Sequence, residues 1–249
     1  MQGIRVIAHI LLITVLSFIA NIIGTVSGFG VGTVLTPILL LFLPFGPTVL
    51  LVCILHWFHD VFKLFFFRSG IDWKLFIYFG IPTIVATFLG ALLVTPTQSH
   101  VLTALLGLFL IFSVGMMYAV ESFRIPDTWI TSMVGGLLSG FFAGIFGIRG
   151  AVRSVFLSAF DLRKATYIGT TGAISLLLDS TRLGVYLWDG IRMDQSLVWG
   201  FAFFVPASFI GAYVGAKMVH WIPQKYFRDV VAIFLFLVGI KLLVTPWLG

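Results

Sequence analysis

The segment Gly28-Phe29-Gly30-Val31-Gly32-Thr33-Val34-Leu35-Thr36-Pro37 decides the fold, because it lies in hydrophobic sequence and cannot be an ordinary helix interior. Three glycines at alternating positions each cost about 1 kcal/mol relative to alanine in a helix. Pro37 also removes a backbone donor. In lipid, the freed backbone groups must be buried in protein or line a wet cavity. The segment therefore predicts a break over residues 24–33, followed by a short half-helix from Val34.

A second broken segment, Gly147-Ile148-Arg149-Gly150-Ala151-Val152-Arg153, follows 119 residues after the first. Gly28 aligns with Gly147 and Val31 with Gly150, and the second copy carries two arginines that the first copy lacks. Two further landmarks recur in the same order, Asp60 with Asp179 and Gly90 with Gly211. Interrupted hydrophobic segments at matching places in two halves are typical of a transporter binding site. The recurrence indicates an internal duplication.

The composition predicts an all-α polytopic membrane protein embedded in a lipid bilayer. The chain has 249 residues, 60% hydrophobic and only 10% charged, with a mean hydropathy of +1.13. Soluble domains carry about 25% charged residues. The net charge of +6 does not indicate nucleic-acid binding, because the basic residues are scattered among loops and spans. Cys53 is the single cysteine, so no intrachain disulfide can form.

About ten transmembrane segments fit the hydrophobic pattern, two of them short. Because a span needs about 20 apolar residues, we predict helices over the ranges 4–23, 34–43, 48–67, 75–94, 101–120, 129–146, 165–187, 196–218 and 226–244. The second break and its half-helix are predicted over 147–160. The polar connection at 121–127 divides the chain into a first repeat, 1–124, and a second, 125–249. Each repeat has five segments, an odd number, so the two repeats should be inverted in the membrane.

The distribution of basic residues agrees with inverted repeats. Lys and Arg collect in cytoplasmic loops. If the loop at 68–74 is inside, alternation places the loops at 121–127, 161–164 and 217–228 inside as well. These loops hold most of the basic loop residues, whereas the outside loops hold Arg192 between two aspartates. Both termini would then lie outside.

These features resemble the TauE/SafE sulfite exporter family, also called the toluenesulfonate uptake permeases. Members have two repeats, each beginning with a Gly-Ile-Gly-Gly-Gly type of break followed by proline. Gly28, Gly30, Gly32 and Pro37 match the first copy, and Gly147, Ile148 and Gly150 match the second. The resemblance implies transport of a small sulfur-containing anion, such as sulfite, thiosulfate or an organosulfonate like sulfoacetate. It also implies a multi-pass protein of a prokaryotic plasma (inner) membrane.

Arg149 and Arg153 are the leading candidates for substrate contact. They are four residues apart, so they share one face of a half-helix. A charged side chain inside a span normally faces a cavity or a partner, and a guanidinium matches the paired oxygens of a sulfonate. The alternative is that one arginine pairs internally with a carboxylate such as Asp179, or extends to the cytoplasmic surface. With the arginines we group the break residues Gly28, Gly30, Gly32, Gly147, Gly150, Ser27 and Thr33 as substrate-binding candidates.

Gating or ion-coupling candidates lie on the long helices. Asp60 with Lys63 and Asp179 with Arg182 are spaced i, i+3, and each pair is either a structural salt bridge or a gate. His56 and His59 share a face with Asp60 and suit proton relay or buried hydrogen bonding. No third histidine lies near them in the sequence, so we expect no metal and no other cofactor.

The sequence thus favours a secondary transporter that works by alternating access. Its energy would come from a gradient, because no Gly-x-x-x-x-Gly-Lys-Ser/Thr motif occurs. Rival interpretations are a transporter of another small solute with structural arginines, an intramembrane enzyme that uses the histidines with a metal, and a channel. A homodimer is left open as the oligomeric state.

Overall fold

The computed structural model describes residues 2–27, 30–67, 71–119, 126, 128–157, 160, 164–218 and 224–245. This part of the chain is helical and contains no strand. The elements in chain order are α1 (Gln2–Ser27), α2 (Val31–Leu39), α3 (Phe45–Phe67), α4 (Trp73–Leu75), a π-helical turn (Phe76–Gly80), α5 (Ile81–Leu92), α6 (Ser99–Ala119), α7 (Trp129–Phe146), α8 (Gly150–Leu157), α9 (Lys164–Trp188), α10 (Gln195–Met218) and α11 (Gln224–Val244).

The protein is a multi-pass integral membrane protein. Among the described residues, five stretches are long and apolar enough to cross a bilayer: Val6–Val26, Trp73–Leu92, Ser99–Met116, Trp129–Phe146 and Gln195–Met218. Their outer faces carry exposed large apolar side chains, such as Leu11, Phe112 and Trp199. Surfaces of that kind are suited to contact with lipid rather than water.

The long helices pack as pairs, each joining one half of the chain to the other. Helix α1 lies along α10, and α7 lies along α5. Helix α3 packs on α9, and α6 packs on α11. In the two halves, α1 corresponds to α7, α3 to α9, α5 to α10 and α6 to α11. Replacing each helix by its counterpart turns the α1–α10 pair into the α7–α5 pair and leaves the α3–α9 and α6–α11 pairs unchanged. The pattern of contacts is therefore close to symmetric between the halves.

Glycines allow the closest helix approaches, at corresponding places in the two halves. A Cβ on Gly90 of α5 would lie 2.5 Å from the carbonyl oxygen of Phe141 in α7. A Cβ on Gly211 of α10 would lie 2.4 Å from the carbonyl oxygen of Phe18 in α1. Small residues let membrane helices approach until their backbones touch. Gly90 and Gly211, which align between the two halves, therefore permit equivalent close helix contacts.

Most predicted helix ends lie within a few residues of the observed ones, and α7 has the predicted range, 129–146. Two predictions were inexact. The first break is shorter than 24–33, since α1 continues to Ser27 and α2 already begins at Val31. The predicted turn at 44–47 instead contains the start of α3, because proline is tolerated in a first helical turn. The second break and half-helix, predicted together over 147–160, contain α8 at Gly150–Leu157.

The fourth predicted span is a continuous helical segment that contains one irregular turn. Asp72 caps its beginning, with Oδ1 accepting a hydrogen bond from the Leu75 backbone at 3.0 Å. A π-helical turn then precedes α5, which has Pro82 at its first turn. Proline lacks a backbone donor, and irregular turns accommodate that loss within a helix. The span continues to Leu92.

Candidate functional site

The two broken segments meet in the middle of the helix assembly. Gly30 has φ 86° at the start of α2, and Gly147 has φ 74° at the end of α7, conformations that favour glycine. A Cβ placed on Gly30 would lie 3.6 Å from the Cα of Gly150, its nearest neighbour. A Cβ on Gly32 would lie 2.4 Å from the carbonyl oxygen of Gly147. The glycines therefore allow backbone-to-backbone contact between the two breaks.

A cavity of about 380 Å³ opens beside this contact. Its volume is within the range of small-molecule sites. Both breaks and the helices α3, α9 and α10 contribute to its wall. The lining residues are Gly24, Thr25, Gly30, Val31, Gly32, Thr33, His56, His59, Gly147, Arg149, Gly150, Arg153, Tyr167, Ile168, Thr171, Ala212 and Ala216.

Arg149 lines the cavity, but its charge is already paired. It precedes α8, and its guanidinium bridges two long helices. Nη2 donates to Oδ2 of Asp60 in α3 at 2.5 Å, and Nη1 donates to Oδ2 of Asp179 in α9. Both carboxylates are fully buried. The sequence interpretation in which an arginine pairs internally with Asp179 therefore describes Arg149.

The ion network continues through α9. Arg182 donates from Nη1 to Oδ1 of Asp179 at 2.8 Å, which confirms the predicted i, i+3 pair. Its Nε donates to the hydroxyl of Tyr186 at 3.3 Å, and that hydroxyl donates to the carbonyl oxygen of Gly144. Cys53 donates from Sγ to the backbone oxygen of Asp179 at 3.3 Å. These bonds hold α3, α7, α8 and α9 together. They also give each buried charge of the network a bonded partner, without which its burial would be strongly unfavourable.

Arg153 is different from Arg149. It lies one turn into α8 and lines the same cavity. Its Nη1 donates to Oγ of Ser175 in α9 at 2.7 Å. Its Nε is buried without a hydrogen-bond partner, and no carboxylate pairs with Arg153 in the part of the chain that the structure describes. Arg153 thus brings a positive charge to the cavity that the described residues do not neutralise.

His56 and His59 also line the cavity, on successive turns of α3. His56 is 5% exposed, and its Nδ1 has no hydrogen-bond partner among the described groups. Its ring would lie 2.7 Å from a Cβ placed on Gly32, so the missing side chain there makes room for the imidazole. The ring of His59 lies edge-on to that of Phe209, with centroids 6.1 Å apart. Asp60, the third residue of that predicted group, faces Arg149 instead.

Most of the predicted site residues come together. Gly30, Gly32, Thr33, Gly147 and Gly150 line the cavity with both arginines and both histidines. Asp60, Asp179 and Arg182 lie behind it, in the ion network. Gly28 and the side chains of Ser27 and Lys63 lie outside the described residues. No cluster of metal-ligating side chains occurs within the described ranges.

The sequence interpretation missed several residues of the ion network and of the cavity wall. Tyr186 is four residues after Arg182, and that spacing could have suggested the pair. Ser175 and Tyr167, on α9, carried no signal beyond their residue types. Ala212 and Ala216 follow the aligned Gly211 on α10, where small residues leave space for the cavity.

Two comparisons with known proteins found similar sequences. The sequence profile of the family described as "Sulfite exporter TauE/SafE" matches residues 13–242. A curated protein of Methanocaldococcus jannaschii, described as a probable membrane transporter protein, is 26% identical over 260 residues, covering 93% of this chain and 94% of that protein. No solved structure matches the chain significantly.

Proposed function

Because the chain belongs to the TauE/SafE sulfite exporter family and is a membrane transporter, we propose that it carries a small sulfur-containing anion through the cavity between its two broken segments. Sulfite, thiosulfate and organosulfonates such as sulfoacetate are the substrate class. The membrane would be a prokaryotic plasma membrane.

The observation that carries the proposal is the cation of Arg153 in the cavity wall. A buried charge without a counter-ion is costly, so an anion that enters the cavity relieves that cost. The guanidinium offers several donors in a planar fork, which suits the oxygens of a sulfonate or sulfite. Thr25, Thr33 and Thr171 supply hydroxyls to the same wall.

The apolar part of the wall favours an anion with a small hydrocarbon group. Val31, Ile168, Ala212 and Ala216 line the cavity beside the polar groups. Mixed walls with a few polar side chains are typical of small-molecule sites. The volume of about 380 Å³ also exceeds what a bare inorganic oxyanion needs. We therefore place organosulfonates ahead of sulfite within the class.

The transport cycle we propose is alternating access between two inverted repeats, residues 1–124 and 125–249. Two observations support a two-fold relation between the repeats. The α1–α10 pair corresponds to the α7–α5 pair, and Gly90 and Gly211 make equivalent close helix contacts. The cavity lies where the two breaks meet, as expected for a transporter with interrupted helices. Movement of one part of the assembly against the other would open it to either side.

Transport into proteoliposomes tests the proposal. We expect saturable uptake of ethanesulfonate and sulfite by the wild-type protein. Loss of a charge-assisted hydrogen bond costs about 1.5–3 kcal/mol, so Arg153→Gln should lower uptake at limiting substrate at least tenfold. Arg192→Gln is the matched control, since Arg192 is exposed and donates to the carbonyl oxygens of Leu187, at the end of α9, and Ile191.

The alternatives give different results in the same assay. Equal uptake by wild type and Arg153→Gln would remove that arginine from the site. Uptake of neutral solutes or cations without any sulfur anion would favour the rival transporter.

A further inference from the structure

Six helices that line the cavity form a ring around it, in which each helix contacts the next. Helix α1 packs on α2, α2 packs on α8, and α8 bonds to α9 through Arg153 and Ser175. Helix α9 packs on α3, α3 packs on α10, and α10 packs on α1. The pair of α1 and α10 therefore lies across the cavity from the pair of α8 and α9.

The wall formed by α8 and α9 carries Arg153. Its Nη1 donates to Oγ of Ser175 at 2.7 Å, and its Nε is buried without a hydrogen-bond partner among the described groups. Tyr167 and Thr171, one turn apart on α9, line the cavity on the same wall. A guanidinium binds the oxygens of a sulfonate through several donors at once. The charged end of an entering organosulfonate therefore belongs at this wall.

The opposite wall presents two small apolar side chains, Ala212 and Ala216, one turn apart on α10. The residues just before them, Gly211 and Gly215, make the backbone contact with α1. A Cβ on these glycines would lie 2.4 Å and 2.9 Å, respectively, from a carbonyl oxygen of α1. Each alanine is turned about 100° around the helix axis from its glycine. The glycines thus hold α10 against α1 while the alanines face the cavity.

The two walls suit the two ends of an organosulfonate. With the sulfonate group at Arg153, the hydrocarbon chain points across the cavity toward α10. Burial of a methylene group against apolar side chains is favourable. Because alanine has a short side chain, these two positions leave room for the chain, and a larger residue at either position takes that room away.

We propose that an organosulfonate binds with its sulfonate group at Arg153 and its hydrocarbon chain against Ala212 and Ala216, and that these two alanines set the longest chain that the transporter accepts. The inference rests on the proposed function, since it assumes that the cavity is the anion site. It adds the orientation of the substrate and the residues that determine its length.

Methanesulfonate, ethanesulfonate and propanesulfonate test the inference, because each carries one negative charge near neutral pH and they differ only in chain length. Calorimetric titration of the detergent-purified protein gives the three affinities. Burial of one methylene contributes about 0.8 kcal/mol, which is about fourfold in affinity. We expect the affinity of the wild type to rise by about that factor with each added methylene.

The variant Ala212→Leu fills the space assigned to the hydrocarbon chain. It should bind methanesulfonate within about threefold of the wild type and propanesulfonate at least about tenfold more weakly. Ala202→Leu is the matched control, because Ala202 is an exposed alanine of the same helix, and it should keep all three affinities. If Ala212→Leu does not fold, Ala216→Leu makes the same test at an exposed position nearer the end of α10.

The variant Arg153→Gln tests the other end of the substrate. The charged end is the same in all three sulfonates, so this change should weaken their binding by a similar factor, at least about tenfold. The increase in affinity with each added methylene should remain. A loss that depends on chain length in Arg153→Gln would place the hydrocarbon chain at Arg153 and contradict the proposed orientation.

The results distinguish the two proposals. A wild-type affinity that does not change with chain length, or an equal loss at every length in Ala212→Leu, overturns the inference and leaves the anion site intact. Binding of none of the three sulfonates to the wild type overturns the proposed function for sulfonates and the inference with it.

Discussion

The two broken segments have similar backbones and very different side chains. Each break contains a glycine with positive φ, Gly30 in the first and Gly147 in the second. The half-helix after the first break, α2, is buried along almost its whole length and carries no charge. The second break and α8 carry Arg149 and Arg153. The comparison shows that both segments bring glycines to the cavity, whereas the arginines come from the second segment alone.

Within the second segment the two arginines have different bonding partners. Arg149 joins α3 to α9 through two buried carboxylates. Arg153, one turn later, bonds only a hydroxyl among the described side chains. A structural cation and a binding cation therefore lie side by side on one short segment. The first segment has no counterpart of either.

The largest effect should come from breaking the ion network of the second segment. Asp179→Asn leaves Arg149 and Arg182 without the carboxylate that they share. Removing one partner of a buried ion pair typically costs about 3–5 kcal/mol. We expect a large fall in the thermal unfolding midpoint of the purified protein. Asp194→Asn, an exposed site before α10, is the matched control. A midpoint equal to that of the wild type would contradict the described network.

A smaller loss of stability should follow from filling the contact between the two breaks. In Gly32→Ala, the new Cβ would lie 2.4 Å from the carbonyl oxygen of Gly147 and 2.7 Å from the ring of His56. Overpacking of this kind costs about 1–3 kcal/mol. Anion binding should fall as well, because the backbones must separate. Gly115→Ala is the control, since nothing lies within 4 Å of a Cβ there. Equal stability and affinity in the two variants would show that the breaks do not touch.

The smallest effect should come from the residue that positions Arg153. Ser175→Ala removes the acceptor that holds Nη1 at 2.7 Å. A hydrogen bond to a charged group contributes about 1.5–3 kcal/mol at most, and a mobile arginine can still reach the anion. We expect ethanesulfonate to bind about three- to tenfold more weakly, at an almost unchanged unfolding midpoint. Ser175→Thr should restore the affinity. Weak binding by both variants would point to a packing role for Ser175.

Much of the fold could be predicted because its signals are local. Three glycines at alternating positions in apolar sequence indicate the first break, and the recurrence of Gly28 at Gly147 indicates where the second break lies. Helix ends were harder to place, since α2 begins three residues earlier than predicted, directly after the positive φ of Gly30. Nothing in the local sequence distinguishes Val31 from Val34 as a helix start.

The roles of the two arginines could not be predicted, because they depend on distant partners. Arg149 pairs with Asp60, a residue of another helix far away in the sequence, as well as with Asp179. Arg149 and Arg153 have the same side chain, four residues apart, and local spacing favours neither. Only the folded arrangement of α3, α8 and α9 shows which arginine is neutralised.

The affinity of Arg153→Gln for ethanesulfonate, measured by calorimetry beside wild type and Arg192→Gln, tests the anion site most directly. We predict binding to the wild type and the control, and binding at least about tenfold weaker to Arg153→Gln, at an unfolding midpoint near that of the wild type. Equal affinity in all three proteins would contradict the assignment of Arg153 as the cation that receives the substrate.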